Sequence, residues 1–533
     1  MHPQCLPFTK IPQTTALFSA FLYDFPRVQR FFRRLPNEPS WFADEAATIT
    51  YDPQRRAAVA DILARQNRTF GCSEKTLANI ERLRRGACAL ITGQQAGLFG
   101  GPLFSVLKAV TAIHLAARAS AQAVECVPVF WLATEDHDLA EVDNVVLPAG
   151  DGSLRKLTAI VDRREHAPIS DASFTSQIDA VVAESLDLLG DSEAAGALRA
   201  SYRPGISMGD AFGKFFACVF RDFGVVLLDA SDPDLHVIAA PLYAQAAHRS
   251  RELCAALMAR GRELHDSGFH EQVKVTPSST LLFTLHEGAR TPIHRTNERF
   301  AVADQKWSEA DLAARIAESP ERFSANVLLR PVVQDYLLPT LAYVGGPAEV
   351  AYFAQAAVVY EQLLGRVTPI LPRFSATLVE PHANRLLHRY QLEPADLFGG
   401  AEQVRRLLAE RSLPSDLHRK FAEADAALDR SLQGIIESLD HLDHTLVDAA
   451  NRASAKMRYQ LNRLRTRAAH AELRRNEVLD RHARQFAASL YPHDTLQERV
   501  IGGIYFLARY PDLLDTLTRA AAIPCAGHQV INL

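Results

Sequence analysis

Four short apolar runs lie in the chain before residue 375, and none shows the polar alternation of a half-exposed strand. They span residues 88–91, 127–132, 224–228 and 367–371. Runs of this length suit strands that are buried on both faces, as in parallel sheets. Helical patterns separate them, including one after Pro102. Buried strands that alternate with helices predict an α/β fold built on a doubly wound parallel sheet.

The last third of the chain follows a different period, because its apolar residues step by four and three alternately. The members of this seam are Leu428, Leu432, Ile435, Leu439, Leu442, Leu446, Ala449 and Ala453. We predict a long helical hairpin or coiled coil over about 385–490, with a break near 413–416. Two roles stay open for it: extension or dimerisation of the fold, and a direct part in substrate binding.

Composition narrows the class of protein. The chain has 533 residues, 48% hydrophobic content and a formal net charge of −4, so a nucleic-acid partner is disfavoured. Its seven cysteines are scattered and never spaced as CxxC, which predicts no disulfide framework, no structural zinc site and a reducing cytoplasm. No signal peptide is visible, and no stretch approaches the roughly 20 apolar residues of a membrane-spanning helix.

Polar clusters follow the predicted strands, where ligands bind in doubly wound sheets. The first is a glycine-rich loop without the lysine of a Walker motif. Its backbone, its two amide side chains and the next helix N-terminus could bind phosphate or ribose, although a tight turn is the alternative. The candidate binding residues are Thr92, Gly93, Gln94, Gln95, Gly97 and Gly101.

Four ionisable residues follow the second strand directly. They are Glu135, Asp136, His137 and Asp138. Such a group could bind an ammonium, act as a general base or hold a divalent metal. Only His137 is a good nitrogen ligand, so we assign no metal-binding residues. Helix caps and salt bridges are the alternative interpretation.

Two further clusters complete the candidate site. Gly345 and Gly346 precede a proline, which favours a sharp turn where the backbone can approach a ligand. Arg373, Ser375 and Thr377 follow the fourth run, and could hold phosphate oxygens. The alternatives are an ordinary turn at the glycines, and a Ser375 helix cap beside a surface pair of Arg373.

Taken together, these segments resemble the bacillithiol biosynthesis cysteine-adding enzyme family, usually called BshC. The resembling stretches run through nearly the whole chain in family order. They are ITGQQAGLFGGPLFSVLKA (91–109), PVFWLATEDHDLAEVDNV (128–145), LRPVVQDYLLPTLAYVGGPAEVAYFAQ (329–355), PRFSATLVEP (372–381) and LQERVIGGIYFLARY (496–510). Several matches of this length are more specific than any single glycine loop.

The resemblance implies a Rossmann-like core similar to that of class I aminoacyl-tRNA synthetases, with connecting-peptide insertions and a coiled-coil arm that supports a homodimer. It also implies a cytoplasmic ligase that joins cysteine to glucosaminyl-malate through an amide bond and yields bacillithiol. The synthetase signatures HIGH and KMSKS are absent, and residues 93–102 and 373–377 occupy their places. ATP is the suspected cosubstrate, and a metal requirement stays open.

On this basis we expect five parts along the chain. They are the first half of the core (1–150), the insertions with a core strand near 224–229 (151–325), the second half of the core (326–384), the coiled coil (385–490) and a C-terminal segment packing on the core (491–533).

Amide formation needs an activated carboxylate, and a mixed anhydride with AMP is the obvious route. We expect the glycine-rich loop and the Arg373 cluster to face the nucleotide. The acidic cluster would hold the substrate ammonium, and His137 or a carboxylate would accept the proton. Two competing functions stay open: a ligase of the same fold with another acyl acceptor, and a coiled-coil scaffold with a vestigial site. The catalytic interpretation requires that Gly93, Asp136, Gly346 and Arg373 share one cavity.

Overall fold

The computed structural model describes residues 4–36 and 39–533. Its strands are β1 (Gln4–Leu6), β2 (Cys88–Gln94), β3 (Cys126–Leu132), β4 (Asn144–Pro148), β5 (Leu154–Thr158), β6 (Val161–Asp162), β7 (Ser173–Phe174), β8 (Val226–Asp229), β9 (Ser279–His286), β10 (Ala289–Thr296), β11 (Arg299–Val302), β12 (Gln305–Trp307), β13 (Phe323–Ala325), β14 (Thr340–Gly345), β15 (Ile370–Pro372), β16 (Ala376–Val379) and β17 (His528–Asn532).

The α-helices are α1 (Ala16–Tyr23), α2 (Phe42–Ala46), α3 (Pro53–Thr69), α4 (Glu74–Arg85), α5 (Leu103–Ala121), α6 (Ile178–Leu189), α7 (Glu193–Ser201), α8 (Met208–Val219), α9 (Pro233–His248), α10 (Ser250–Asp266), α11 (Glu309–Glu318), α12 (Arg330–Leu337), α13 (Pro347–Leu364), α14 (Pro381–Tyr390), α15 (Ala401–Arg411), α16 (Ser415–Leu442), α17 (Leu446–Arg475), α18 (Glu477–Leu490), α19 (Gln497–Val500), α20 (Gly503–Arg509) and α21 (Leu513–Ala521).

The central sheet is parallel throughout and has the strand order β15-β14-β2-β3-β8. Its strands occur along the chain as β2, β3, β8, β14 and β15, so the order reverses between β2 and β14. This reversal is the switch point of a Rossmann-like sheet, and ligands bind beyond the strand ends there. Each of the four apolar runs contributes a strand to this sheet, which confirms the predicted Rossmann-like α/β fold.

One central strand of the sheet, β14, was missing from the prediction. The sequence around it reads only as a turn between two helices, because just two residues, neither of them polar, separate α12 from β14. All six of its residues are buried. Its partner β2 lies far earlier in the sequence, and its partner β15 follows only after α13. Strand pairing in the folded chain therefore overrides the local pattern.

Two insertions interrupt the central sheet. The hairpin of β4 and β5 and the helices α6 to α8 lie between β3 and β8. An antiparallel sheet with the order β12-β11-β10-β9-β13 lies between β8 and β14, next to α9 and α10. Its strands β9 and β10 confirm the β-like stretch predicted at 280–295.

A third sheet joins the two ends of the described chain. Strand β17 pairs antiparallel with β1 and parallel with β16. Beside it, Cys5 and Cys525 form a disulfide bond, and the other five cysteines are free. The scattered cysteines predict no disulfide framework, and this single bond departs from that prediction. A separation of 520 residues leaves no local spacing from which to infer the pair.

The arm is a helical hairpin, as predicted. Helices α16 and α17 run antiparallel, and ion pairs between them join Arg458 to Asp429 at 2.9 Å and Arg465 to Asp425. The predicted break near 413–416 is confirmed, because α15 ends and α16 begins there. The predicted seam does not continue along one helix, however. The chain reverses at residues 443–445, where the Asp443 carboxylate accepts a hydrogen bond from the backbone of Thr445.

Helix α5 is long and apolar enough, by length and composition alone, to cross a membrane, which the sequence pattern does not predict. In the structure 67% of that window is buried. The helix packs against β2 and β3 on one side and α21 on another. This packing within the core accounts for its apolar composition.

Candidate active site

A cavity of about 720 Å³ opens at the switch point, beyond the ends of β2, β3 and β14. Gly93, Asp136, Gly346 and Arg373 all line it, as the catalytic interpretation requires. Its polar wall consists of side chains from several elements. These are Gln94, Gln95, Lys108, Glu135, Asp136, Glu141, Arg290, Asn326, Arg330, Tyr343, Glu349, Tyr352, Arg373 and Arg499.

The end of β2 is held close to its neighbours. The Thr92 hydroxyl is fully buried and donates to the carbonyl oxygen of Val344 at 3.0 Å, so it ties β2 to β14 rather than facing the cavity. A Cβ atom on Gly93 would lie 2.8 Å from the Trp131 carbonyl oxygen, which only glycine avoids. Gly93 therefore permits the tight β2–β3 contact at the cavity floor.

Lys108 organises the floor of the cavity from α5. Its Nζ lies 2.8 Å from the Gly93 carbonyl oxygen, 3.1 Å from Gln94 Oε1 and 2.6 Å from Glu349 Oε2. Burial lowers the pKa of Lys108, yet these three acceptors match the three protons of an ammonium group. We conclude that Lys108 is charged.

Glu349 is the matching anion at the start of α13. Its carboxylate accepts hydrogen bonds from the Tyr343 hydroxyl at 2.6 Å and from the Gly346 backbone N–H at 2.7 Å. Burial alone would raise the pKa of Glu349, but the Lys108 charge and these hydrogen bonds lower it overall. The ends of β2 and β14 are thereby joined by one ion pair.

The acidic cluster divides between the cavity and the surface. Glu135 and Asp136 line the cavity. Asp136 Oδ2 accepts from the Gln95 amide at 2.7 Å, and its Oδ1 lies 3.8 Å from the Arg290 guanidinium. His137 is half-buried beside Arg290, and Asp138 is exposed. Neither His137 nor Asp138 lines the cavity.

Arg290 is a fixed cation of this wall. Its side chain donates to Ser324 Oγ at 3.0 Å and to the Ala325 carbonyl oxygen at 2.8 Å, and it stacks on the Phe283 ring. Burial lowers the pKa of Arg290, and the carboxylates of Glu135 and Asp136 oppose that effect. Strand β10 thus brings a positive charge from the second insertion to the core site.

Arg373 reaches the cavity, but the two hydroxyls after it do not. Its guanidinium pairs with Glu498, which is fully buried in α19. Ser375 Oγ donates to Glu498 at 2.9 Å, and both Ser375 and Thr377 lie 2.8 Å from a ring nitrogen of His528. The prediction that the two hydroxyls contact substrate oxygens therefore does not fit this geometry, because both serve the buried network behind Arg373.

The remaining predicted glycines shape turns around the cavity. Gly101 adopts a φ of +71°, and its carbonyl oxygen accepts from the Gly503 backbone at 3.0 Å. A Cβ atom on Gly97 would lie 3.0 Å from the Cα atom of Gly101, so the two backbone segments are close together. Gly345 accepts from the Arg373 backbone N–H at 2.8 Å. None of these three lines the cavity.

Two further arginines of the wall were not predicted. Arg330 in α12 donates to the Tyr352 hydroxyl at 2.9 Å, and Arg499 in α19 stands exposed on the rim. Within residues 4–36 and 39–533, neither guanidinium has a carboxylate within ion-pair distance. The negative charge of Glu349 acts to raise the pKa of both guanidiniums and so favours their charged form. They are cations available to an anionic ligand.

Across the described residues, no group of three or more His, Cys, Asp or Glu side chains is arranged to hold a metal ion.

The fold and the cavity define a Rossmann-like protein with a small-molecule site at the switch point of its sheet. Two family models match it in succession. Residues 1–374 match "Bacillithiol biosynthesis BshC, N-terminal Rossmann-like domain", and residues 376–533 match "Bacillithiol biosynthesis BshC, C-terminal coiled-coil domain". The chain therefore belongs to the BshC family.

Full-length relatives agree with this assignment. A protein of Koribacter versatilis named "Putative cysteine ligase BshC" is 50% identical over 534 residues and covers 100% of both chains. Its namesake from Solibacter usitatus is 32% identical, again with 100% of both chains covered. A solved structure of a "putative arginyl t-RNA synthetase" from Campylobacter jejuni is 10% identical, with 88% of this chain and 98% of that chain covered and a TM-score of 0.22.

Proposed function

We propose that this protein is a carbon–nitrogen ligase of bacillithiol biosynthesis, which joins the carboxyl group of cysteine to the amine of glucosaminyl-malate. The observation that carries the proposal is one cavity lined both by carboxylates and by two guanidiniums that have no carboxylate partner among the described residues. Its volume lies within the range of small-molecule sites. The printed name of the full-length relatives, cysteine ligase, supports the same reaction.

The acceptor substrate carries one amine and the two carboxylates of malate, and the cavity offers a partner for each. Glu135 and Asp136 suit the amine as an ammonium. Arg330 and Arg499 suit the malate carboxylates, since a guanidinium binds a carboxylate through paired hydrogen bonds. The acceptor would then lie across the switch point with its amine towards β3.

The cysteine carboxyl group needs activation, and we propose ATP as the cosubstrate. The ends of β2 and β14, the N-terminus of α13 and Arg373 would face the phosphates, because free backbone N–H groups and a guanidinium stabilise negative charge. The residues of the aminoacyl-tRNA synthetase signatures are absent, so the nucleotide has to be identified by experiment.

The test is product formation by purified protein. We expect a thiol of the mass of bacillithiol from cysteine, glucosaminyl-malate and ATP, with one nucleotide cleaved for each amide formed. Reactions without nucleotide, with GTP and without cysteine are the controls. Product without nucleotide consumption would reject the activation step, and no product under any condition would reject the function.

We also propose that the protein is a homodimer joined through the arm. Ile435 is 52% exposed and Leu442 is 76% exposed along the predicted seam of α16. Apolar side chains repeated at heptad spacing on a free helix face are the usual seam of a coiled coil.

A cytoplasmic location is the last part of the proposal. Five of the seven cysteines are free thiols, which suits a reducing compartment. The Cys5–Cys525 bond is the feature that points the other way. Fractionation of cells, with alkylation of the protein at lysis, would decide both the location and the state of this pair.

A further inference from the structure

A buried histidine stands behind Glu135 in the cavity wall. His236 lies in α9 and is 4% exposed. Its Nδ1 is 2.9 Å from the carbonyl oxygen of Phe323. A carbonyl oxygen only accepts, so Nδ1 carries a proton. The ring is thus held in a fixed orientation, and its second nitrogen, Nε2, faces Glu135 Oε1 at 3.5 Å.

Glu135 has one oxygen turned away from solvent. Across the described residues Oε1 has no hydrogen-bond partner and is buried, although the side chain lines the cavity. A carboxylate lone pair facing the lone pair of a neutral ring nitrogen is repulsive, and a buried acceptor without a donor is costly. A proton shared between Oε1 and Nε2 removes both problems. The two side chains therefore hold one proton, and their total charge is zero wherever it resides.

We propose that Glu135 and His236 form a proton-holding dyad, in which Glu135 takes the proton of the attacking substrate amine and His236 is the positioning residue that keeps Glu135 ionised. This inference rests on the proposed function. It adds His236, which stands behind Glu135 and does not itself line the cavity, to the residues that determine the reaction.

The step balances as follows. The bound ammonium first loses one proton to solvent and becomes the free amine. The amine nitrogen then forms a bond to the carbonyl carbon of the activated cysteine. The bond from that carbon to the leaving phosphate oxygen breaks, and its electron pair departs with the phosphate. The nitrogen then loses one proton to Glu135. The extra proton returns to solvent when the product leaves the cavity.

Several charged groups act on Glu135 from the elements around it. Burial raises the pKa of Glu135, and the charges of His236, Arg290 and Arg330 lower it. The charge of Asp229, at the end of β8, raises the pKa of Glu135. The Glu135 carboxylate in turn acts to raise the pKa of the Tyr243 phenol. Among the charges that lower the pKa of Glu135, that of His236 has the largest effect. Removing it should therefore raise the pKa of Glu135 further.

The decisive experiment is the pH profile of kcat/KM for the amine substrate in wild type and His236→Gln. We expect the acid limb of His236→Gln to move to higher pH by about one unit or more, with about a tenfold loss at pH 7 that recovers as the pH rises. The matched control is His248→Gln, which removes an exposed histidine from the same helix and should keep the wild-type profile. An unchanged acid limb with a uniform loss of rate would reduce His236 to a structural role and overturn the dyad.

A second measurement needs neither turnover nor a folded His236 variant. With ¹⁵N-labelled histidine, the Nε2 signal of His236 can be compared at one pH in wild type and in Glu135→Gln. We expect the Nε2 signal to differ between the two proteins, because Glu135→Gln removes the carboxylate that shares the proton. An identical Nε2 signal in both proteins would refute the shared proton. Failure of the proposed function would show separately, as wild-type protein that forms no amide product.

Discussion

The Nζ of Lys108 lies 2.6 Å from Oε2 of Glu349, and this ion pair joins the two halves of the sheet at the switch point. Lys108 comes from the helix after β2, and Glu349 from the helix after β14. The position of Lys108 is therefore tied to the end of β2, and that of Glu349 to the end of β14. The pair fixes the spacing of the backbone segments that border the cavity.

Lys108→Met should destabilise the fold by about 3–5 kcal/mol, because it leaves Glu349 buried without its counter-charge. The double variant Lys108→Met/Glu349→Gln should recover most of that loss, since neither group is then charged. Urea unfolding of the wild type, both single variants and the double variant measures the coupling. Additive losses would contradict the importance of the pair.

Arg499→Met should raise the KM for glucosaminyl-malate by about tenfold or more, the effect of losing one charge-assisted hydrogen bond. The KM for cysteine should stay unchanged, because Arg499 is assigned to the malate carboxylates. An acceptor that lacks those carboxylates should show no difference between wild type and variant. The exposed Arg467 of the arm offers a matched control, Arg467→Met. A rise in KM for both acceptors would place Arg499 elsewhere.

Asp136→Asn should reduce turnover on the order of 10²–10³ while the fold remains intact. The variant keeps the shape of the side chain, and the Gln95 amide can turn to meet the new amide group. Asp151→Asn, in an exposed hairpin turn, is the control and should retain wild-type rates. Rates are compared at saturating substrate, and circular dichroism checks the fold. Full activity in Asp136→Asn would remove Asp136 from the mechanism.

His528 should make the protein lose stability as the pH falls. Burial lowers the pKa of His528 to about 4. As the pH falls below about 6.5, the unfolded chain therefore binds a proton at this residue, whereas the folded chain does so only near pH 4. This group therefore costs no stability above about pH 7, and roughly 3 kcal/mol is lost between pH 6.5 and 4. His528→Asn should flatten the slope over that window. Parallel slopes in wild type and variant would contradict a neutral buried ring.

If the proposed dimer forms through the arm, Ile435→Glu/Leu442→Glu should convert it to a monomer, since charges on the seam oppose its burial. Light scattering coupled to gel filtration measures the mass. Asp440→Asn lies between the two positions and carries no apolar side chain, so it serves as the control. A wild-type protein that is monomeric at micromolar concentration would refute the dimer directly.

Part of this site could be predicted from the sequence. An apolar run followed directly by polar residues marks the end of a buried strand, and it can be recognised without knowing the tertiary fold. That signal located the loop at Gly93, the acidic residues Glu135 and Asp136, and Arg373. It could not show which side of a strand end faces the cavity. Ser375 and Thr377 follow Arg373 closely, yet the folded chain turns them towards His528.

The residues that escaped prediction share a different property. Lys108, Arg330 and His236 lie inside helices, where a charged residue reads as an ordinary part of a solvated face. Arg499 is separated from the core site by the whole arm. Their roles depend on which helix packs against which strand end, and that is settled only by the tertiary fold.

The sheet of β1, β16 and β17 also governs the order in which the molecule can be completed during synthesis. Arg373 obtains its buried counter-charge from Glu498, 125 residues later. The strand that follows it, β16, obtains its parallel partner only from residues 528–532. A nascent chain that has emerged only as far as the arm would hold Arg373 beside an open sheet edge, without a partner. Removal of residues 498–532 would take away both the counter-charge of Arg373 and the partner strand of β16, so chains truncated before residue 498 should be inert rather than partly active.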